Sequence, residues 1–337
     1  MDYFRPIAMT DPVRSAGALP LAGGWCWFDR VEHLTREGSR GLIPAADLPD
    51  DVKARLTVPR APIAGLSFNR PRIMGILNVT PDSFSDGGRF SAPEAAITHA
   101  RNMAEAGAEI LDIGGESTRP GADEVQVQEE IARTAPVIAV LRDTLPGIPV
   151  SIDTRKAEVA RAALDSGAAM VNDVAALSFD SALGPLVARR GVPLCLMHAQ
   201  GTPATMQADP RYDDVLLDVY DYLADRVALA EEAGVPRDHI VIDPGIGFGK
   251  TVEHNLALLR GLSLFHGLGC AILLGASRKR FIGAIGAAER AEDRAPGTLA
   301  VTLAGIAQGV QIHRVHDIET IVQGVRLSLA IAPGVGR

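Results

Sequence analysis

Eight short apolar segments recur along the C-terminal four-fifths of this chain, and each finishes on a polar or glycine-rich cluster. The segments are rich in Val, Ile and Leu, as expected of strands buried on both faces of a parallel sheet. Between them lie stretches long enough for a helix, several of which stop at a glycine that supplies a left-handed cap. Eight such units predict an α/β fold, a (β/α)8 TIM barrel with an N-terminal extension. The predicted strands are IMGIL, EILDIG, PVSID, AMVND, VPLCLM, HIVID, CAILLG and VQIHRV.

The polar residues that follow these strands also predict where the site lies. In a barrel of this kind the catalytic groups occupy the C-terminal ends of the strands. Asn78 follows the first predicted strand, Asp153 ends the third, and Asp243 ends the sixth. One pattern therefore predicts both the fold and the position of the site.

Composition restricts the class of partner. The chain has 337 residues, enough for one large barrel and an appendage, and a net charge of −8. An acidic surface argues against broad binding to nucleic acid or to an anionic membrane, although a local basic cluster can still bind a small anion. The three cysteines form no CxxC pair and the N-terminus shows no targeting pattern. We therefore expect a cytoplasmic enzyme that acts on small molecules.

The first 70 residues lack the strand–helix rhythm, so we place a boundary there: an extension over 1–70 and a catalytic barrel over 71–337. The alternation of Trp25 and Trp27 is typical of a half-buried strand, and residues 47–56 can form a short helix. Two interpretations stay open. The extension is either an appendage, packed on the barrel or partly disordered, or a lid or dimer element; we favour the appendage.

Two of the connections that follow strands are unusually long and polar. The first reads NVTPDSFSDGGRFSAPE and the second GGESTRPGADEV. Long loops on barrels are often passive, but these two concentrate hydrogen-bonding and charged groups beside glycines that permit rearrangement. We therefore expect both loops to contribute to the site.

Eight motifs, one for each barrel unit, together resemble the dihydropteroate synthase family. NVTPDSFSDGG, STRPGA and DPGIGFGK are the most specific of them, whereas SIDT or VND alone would be weak. The resemblance covers about residues 72–330 and leaves the first 70 outside. The motifs in order are GILNVTPDSFSDGG, LDIGGESTRPGA, SIDTRKAEVA, VNDV, MHAQGTPATMQ, DPGIGFGKT, GASRKRFIG and HRVHD.

The resemblance implies a transferase that condenses 4-aminobenzoate with 6-hydroxymethyl-7,8-dihydropterin diphosphate and releases pyrophosphate. Buried carboxylate, amide and ammonium groups suit the hydrogen-bonding edge of a pterin. The family's pterin pocket matches Asp153, Asn172, Asp243 and Lys279. Taken singly, Asp153 could be a helix cap and Lys279 part of a solvated basic face. Four such residues at four strand ends favour the ligand role.

The leaving diphosphate needs positive charge and oriented donors. Arg314 and His316 are two residues apart at the end of the last strand, so they project to the same side, where barrels often bind phosphate. The alternative is that His316 only begins a helix. The resemblance adds Thr118 to the residues that contact the pterin diphosphate. It also matches Asn78 to the family's Mg²⁺ position, where substrate oxygens and water would complete the coordination. The predicted catalytic residues are Asp153, Lys279, Arg314 and His316.

The same resemblance predicts the 4-aminobenzoate site. Phe248 lies in DPGIGFGKT, which looks like a phosphate-binding Walker A loop but has Pro244 where that motif requires glycine. Phe248 could be an ordinary core aromatic, but its place in a glycine-rich loop favours a binding role. The residues matched to the aminobenzoate site are Phe84, Thr118, Arg119, Pro120 and Phe248.

Two positions depart from the family pattern. Arg280 stands where many members carry a serine that can bind the substrate carboxylate, so that carboxylate would meet helix amides or Arg280 itself. Ala199 in MHAQG replaces a larger residue and would loosen the pterin side.

Two other functions remain as alternatives. A pterin-dependent methyltransferase would share the carboxylate and amide pocket but has no need for STRPGA or for the pair Arg314 and His316. A non-catalytic pterin-binding homologue would not need Asn78, Arg119 and Lys279 intact. The family implies a homodimer and sensitivity to sulfonamides.

Overall fold

In the computed structural model, residues 2–80, 92–117, 124–201, 206 and 209–331 are described. The chain begins with five short strands that form a three-stranded antiparallel sheet, in the order β1-β4-β5, and the ribbon β2-β3. The predicted short helix is present as α1, Asp50–Thr57, and Trp27 lies in a strand. The strands are β1 Tyr3–Pro6, β2 Leu19–Pro20, β3 Trp27–Phe28, β4 Arg30–Thr35 and β5 Gly38–Pro44.

Eight parallel strands then close into a barrel in the order β6-β7-β8-β9-β10-β11-β12-β13, with β13 paired to β6. All eight sequence-predicted strands are present, and the predicted TIM barrel is confirmed. Their bounds are β6 Arg72–Asn78, β7 Ile110–Gly114, β8 Val150–Asp153, β9 Met170–Asp173, β10 Leu194–Met197, β11 Ile240–Asp243, β12 Ala271–Leu274 and β13 Ile312–Val315.

Helices surround the barrel and run back between consecutive strands. Gly167 and Gly191 cap two of them in the left-handed conformation, with φ of 115° and 63°, which only glycine adopts without strain. The helices are α2 Ala92–Ala106, α3 Val127–Thr144, α4 Ala157–Ser166, α5 Leu183–Arg190, α6 Val215–Glu232, α7 Val252–Arg260, α8 Arg280–Gly286, α9 Ala295–Ile306 and α10 Ile318–Ile331.

The barrel interior changes from apolar to polar along the strands. Near the strand starts an apolar cluster fills the barrel, and Ile63 and Phe68 from the extension close its lower end. Side chains two positions further along a strand face the same way, and there the chain places Asp112, Asn172 and Asp243 above that cluster. The strand members of the cluster are Met74, Ile110, Met170, Cys195, Val241, Ala271, Leu273 and Ile312.

The extension is anchored at the amino-terminal end of the barrel. Trp25 Nε1 donates to Ile306 O at the end of α9 over 2.8 Å. Arg60 donates from Nε to Cys270 O, just before β12, over 3.0 Å. Tyr3 donates to Asp221 on α6 over 2.8 Å. These anchors lie at the side and base of the barrel, away from the strand ends that carry the predicted site.

No described helix is long and apolar enough to cross a membrane.

Candidate active site

Five of the predicted site residues lie at the carboxyl ends of different strands. Asn78, Asp153 and Asp243 are the last residues of β6, β8 and β11, and Asn172 and Arg314 are the penultimate residues of β9 and β13. Neighbouring strands are paired in register at this level, with Gly114 opposite both Asn78 and Asp153. The barrel therefore assembles residues that are up to 236 positions apart in sequence, from Asn78 to Arg314.

Arg314 joins two carboxylates at the centre of the barrel mouth. Its Nε donates to Asp112 Oδ2 over 2.6 Å, and its Nη2 donates to Asp153 Oδ2 over 2.7 Å. Asn172 Nδ2 donates to the same Asp112 oxygen over 3.0 Å. These four side chains form one network, in which a single cation lies between two buried carboxyl groups.

Burial and the neighbouring charges shift the pKa values of Asp153 and Arg314 within this network. Burial raises the pKa of Asp153 to about 7, against the lowering effect of Arg314 and with a smaller contribution from the nearby Asp112. Burial alone would lower the pKa of Arg314, but Asp112 and Asp153 outweigh it and the pKa is raised. Arg314 therefore stays charged, while Asp153 is poised to change its protonation state near neutral pH.

Asp243 is held by the backbone of the loop that follows it. Its Oδ1 accepts a hydrogen bond from Gly245 N over 2.7 Å, and burial raises its pKa to about 6, opposed by that bond and by Lys279. Gly245 has a φ of +68°, and a Cβ there would lie 1.8 Å from His198 O. Only glycine fits at 245, so the loop can turn tightly beneath the carboxylate.

Lys250 belongs to the interior of that loop. Its Nζ lies 2.8 Å from His198 Nδ1 and donates to Gly245 O and Phe248 O, each over 2.9 Å. Burial lowers the pKa of Lys250 well below its ordinary value and that of His198 to about 2, so the imidazole is neutral. A Walker A lysine must reach a phosphate, whereas Lys250 holds the carbonyls of its own loop. The resemblance of DPGIGFGKT to that motif is therefore false, as the sequence indicated.

The loop brings Phe248 to Lys279. Lys279 Nζ lies 3.8 Å from the centroid of the half-buried Phe248 ring, in a cation–π contact. A Cβ at Gly247 would lie 2.8 Å from the Lys279 side chain, so that glycine leaves room for it. Lys279 precedes α8, whose first residue is the exposed Arg280. Phe248 thus borders the predicted pterin pocket on the side of the basic residue.

His316 is oriented by the turn that follows the neighbouring strand β12. Its Nδ1 lies 2.9 Å from Ser277 Oγ, which also accepts from the His316 backbone N–H over 3.1 Å. The next residue, Asp317, pairs with Arg278 through Nε over 2.9 Å. α10 begins one residue later, at Ile318. His316 thus precedes the start of a helix, as the alternative interpretation of the sequence proposed. Its ring is also fixed by Ser277 at the carboxyl ends of the strands.

The stem of the second long loop is tied to the residues that follow Asp153. Lys156 is buried between two glutamates. Its Nζ donates to Glu116, at the start of this loop, and to Glu130 Oε2 on α3, the latter over 2.8 Å. Arg155 donates to Glu116 Oε1 over 2.8 Å. Thr154 donates to Glu130 Oε1 over 2.7 Å. The stem of this loop and the end of β8 are therefore one hydrogen-bonded unit.

Four predicted site residues, and with them most of the predicted aminobenzoate set, lie outside the described residues: Phe84, Thr118, Arg119 and Pro120.

Sequence reasoning missed three parts of the site region. Asp112 lies in the middle of ILDIG, and an acid inside an apolar strand must be paired, which could have pointed to it. The Walker A interpretation was rejected from Pro244, but the contact of Lys250 in the same loop with His198 was not foreseen. The contacts of Lys156 with Glu116 and Glu130 had no local sequence signal, because Lys156 belongs to the barrel unit that follows the unit of the two glutamates.

Fold and site together are those of a pterin-binding enzyme. The chain matches the family model described as pterin binding enzyme over residues 74–316, from the first barrel strand to His316. It is 44% identical over 265 residues to the dihydropteroate synthase of Escherichia coli strain K12, with 78% of this chain and 92% of that protein covered. The Bacillus subtilis enzyme of the same name is 45% identical over 255 residues, with 76% and 86% covered. The chain belongs to the dihydropteroate synthase family.

Solved structures agree. The Xanthomonas albilineans dihydropteroate synthase with 4-aminobenzoic acid superposes with a TM-score of 0.77 at 45% identity, covering 82% of this chain and 98% of that one. The same enzyme in complex with 7,8-dihydropteroate superposes with a TM-score of 0.74 at 42% identity, covering 82% of this chain and 99% of that one. A Yersinia pestis dihydropteroate synthase bound to a sulfonamide drug superposes with a TM-score of 0.76 at 40% identity, covering 81% of this chain and 98% of that one.

Proposed function

We propose that this chain condenses 6-hydroxymethyl-7,8-dihydropterin diphosphate with 4-aminobenzoate to give 7,8-dihydropteroate and pyrophosphate. One observation carries the proposal: Arg314 lies between two buried carboxylates, Asp112 and Asp153, at the mouth of the barrel. This arrangement offers negative charge for a cation and positive charge for a leaving anion in one place. The relatives named above, with bound aminobenzoate and dihydropteroate, support the same reaction.

The pterin ring would bind to the polar strand ends. Asp243 Oδ1 is engaged by Gly245 N, and its Oδ2 lies 3.1 Å from the position that a Cβ at Gly275 would occupy. The absence of a side chain at 275 leaves this oxygen room to accept from the pterin's amino and ring N–H groups. Lys279 would donate to the ring carbonyl. Asn172, buried beside Asp112, would present its amide to the ring.

Bond cleavage would occur between the pterin methylene carbon and the diphosphate oxygen. The electron pair leaves with the diphosphate, and the ring delocalises the positive charge that remains. Ionised Asp153 and Asp243 stabilise this cation, while Arg314 and His316 stabilise the departing anion. The aminobenzoate nitrogen then bonds to the methylene carbon and loses a proton to water or to the released pyrophosphate.

Mg²⁺ is proposed at Asn78. The Asn78 amide oxygen is a hard donor of the kind that Mg²⁺ prefers, and the diphosphate brings further oxygens. Asn78 Oδ1 and Asp153 Oδ2 lie 3.5 and 3.8 Å from the point that a Cβ at Gly114 would occupy, so this glycine leaves space between them. The described residues contain no cluster of three or more His, Cys, Asp or Glu side chains that could hold a metal, so Asn78 and the substrate would hold the ion together. Bound Mg²⁺ would neutralise part of the diphosphate charge.

The aminobenzoate ring would lie against Phe248, beside Lys279. Phe84, Thr118, Arg119 and Pro120 would complete this proposed site from the two long loops, and Thr118 would also contact the pterin diphosphate. Sulfonamides that resemble aminobenzoate would compete for the same position.

We further propose a catalytic barrel from residue 71 with an extension over residues 1–70, acting as a cytoplasmic homodimer without nucleic acid or membrane partners. Support for the dimer comes from helices α8 and α10, which both pack against α9 and expose Ile285, Leu327 and Ile331 by 61%, 63% and 73%. Sedimentation of the protein with Ile285→Lys and Leu327→Lys, alongside the wild type, tests this assignment. A wild type that sediments as a monomer at micromolar concentration contradicts it.

The test of the reaction is pyrophosphate release that requires both substrates and Mg²⁺. A pterin-dependent methyltransferase would release no pyrophosphate from this pair, and a non-catalytic homologue would bind pterin without turnover. Release that is independent of aminobenzoate would contradict the proposed condensation.

A further inference from the structure

Asp112 contacts the site without standing at a strand end. It lies in the middle of β7, two residues before Gly114, with a fully buried side chain. Its Oδ2 accepts from both Arg314 and Asn172, and its Oδ1 has no hydrogen-bond partner among the described residues. Burying a carboxylate costs free energy, because desolvation disfavours the charge. Hydrogen bonds and an opposite charge, here from Asn172 and Arg314, offset that cost.

The contact with Asn172 fixes the direction of an amide. An ionised carboxylate can only accept hydrogen bonds, so Asp112 can engage the Nδ2 end of Asn172 but not its oxygen. With Nδ2 turned towards Asp112 at 3.0 Å, Asn172 Oδ1 must point the other way. The ring N–H groups of a pterin require an acceptor. Because Asp112 engages Nδ2, the end of the Asn172 side chain that remains for the pterin is the accepting oxygen Oδ1.

The contact with Arg314 fixes a guanidinium plane. Asp112 takes the Nε edge at 2.6 Å and Asp153 takes Nη2 at 2.7 Å, so two anchors on different strands define the orientation of one planar cation. Without Asp112, Arg314 would keep one partner and could turn about it. Its position against a pterin ring would then no longer be defined.

We propose that Asp112 is a positioning residue for the pterin substrate, acting through the amide direction of Asn172 and the guanidinium plane of Arg314. The inference rests on the proposed function, since it assigns a role within the same pocket. It predicts that loss of the carboxylate affects the pterin substrate and leaves the aminobenzoate site, around Phe248, unchanged.

The test compares Asp112→Asn with Glu109→Gln. Glu109 precedes the same strand and is also paired with arginines, through Arg72 Nη1 at 2.6 Å, but at the opposite end of the barrel. Both variants replace an arginine-paired carboxylate by an isosteric amide. We expect Asp112→Asn to lower kcat/KM for the pterin diphosphate by about 100-fold while the KM for aminobenzoate changes by less than about threefold. Glu109→Gln should lower the Tm without changing either constant.

A double-mutant cycle separates positioning from structural support. If Asp112 acts through Asn172, the loss caused by Asp112→Asn should be clearly smaller in the Asn172→Ala background than in the wild type. Losses that multiply, or an Asp112→Asn variant with the kinetics of Glu109→Gln, would overturn the inference. A wild type without synthase activity would instead refute the proposed function.

A measurement on the wild-type protein covers the case in which Asp112→Asn does not fold. With ¹⁵N-labelled asparagine, the Asn172 side-chain signals are assigned by their loss in Asn172→Ala. We expect one of its Nδ2 protons to exchange slowly and to be shifted downfield by the carboxylate. Exchange of both protons at the rate of a solvent-exposed amide would refute the fixed orientation.

Discussion

Arg314 Nη2 and Asp153 Oδ2 are 2.7 Å apart, yet burial still raises the pKa of Asp153 to about 7. The cation therefore does not fully offset the desolvation of its partner, and Asp112 competes for it. A carboxylate in this state can be neutral in the resting enzyme and ionised when a second cation arrives. A positively charged pterin would be such a cation, and this relationship underlies the first two predictions.

Replacing Asp153 by asparagine should keep the fold but lower turnover by at least about 100-fold, because an amide cannot balance a developing cation. The measurement is kcat with both substrates saturating, together with the Tm. Asp165→Asn is the matched control, since Asp165 pairs with Arg190 on the surface with a side chain that is 57% exposed. Near-normal turnover in a stable Asp153→Asn variant would remove the electrostatic role of Asp153.

Activity and stability should respond to pH in opposite directions. Turnover needs ionised Asp153 and Asp243, with pKa values raised to about 7 and about 6, so activity should rise with pH through this range. Because the folded-state pKa of Asp153 is above its unfolded value, its contribution to stability is complete below about pH 4 and is lost as pH rises through 7. The free energy of unfolding of Asp153→Asn should therefore rise relative to that of the wild type as the pH increases from 5 to 8.

Chemical denaturation of both proteins at several pH values measures this difference. Binding of a pterin without phosphate serves as the control for activity, since the diphosphate itself titrates near neutral pH. A pH-independent difference between wild type and variant would show that Asp153 is ionised throughout.

Deletion of residues 1–60 should leave measurable synthase activity, because every predicted site residue lies beyond residue 70 and the contacts of the extension with Ile306 and Cys270 are at the opposite end of the barrel. The Tm should fall substantially, since Trp25, Phe28 and Leu56 are buried against the barrel and their partners would become exposed. Trp25→Phe, which removes the bond to Ile306 O and part of one buried ring, should lower the Tm by less than the deletion does. A truncated protein that is folded and inactive would place the extension in the site.

Aminobenzoate and sulfonamides should bind weakly to the free enzyme and at least about tenfold more tightly with a pterin, pyrophosphate and Mg²⁺ present. The reason is that four of the five predicted aminobenzoate contacts lie on the two long loops, where the diphosphate offers charge for Arg119 and oxygens for the ion at Asn78. Calorimetric titration in the two conditions measures the difference. Arg119→Gln should reduce the enhancement. Equal affinity in both conditions would mean that the aminobenzoate pocket is complete without the other ligands.

The sequence predicted the barrel from local information. Each strand is a short Val-, Ile- and Leu-rich segment, and several helices end where a glycine such as Gly167 or Gly191 can adopt a left-handed conformation. Asp153, Asp243 and Arg314 could be placed near one another because the carboxyl ends of parallel strands in a barrel meet at one face. No pairing between distant residues had to be known for either conclusion.

Only the tertiary structure decided which charges share a partner. Asp112 sits in the middle of β7, and its contact with Arg314 spans 202 positions; the stagger of the strands determines it, and no local pattern records that stagger. The same holds for Lys250, which meets His198 because the two loops pack together. The sequence thus determined which groups are available at the barrel mouth, since strand periodicity is local. Their mutual orientation and their pKa values arose from burial and contact, which exist only once the barrel has closed.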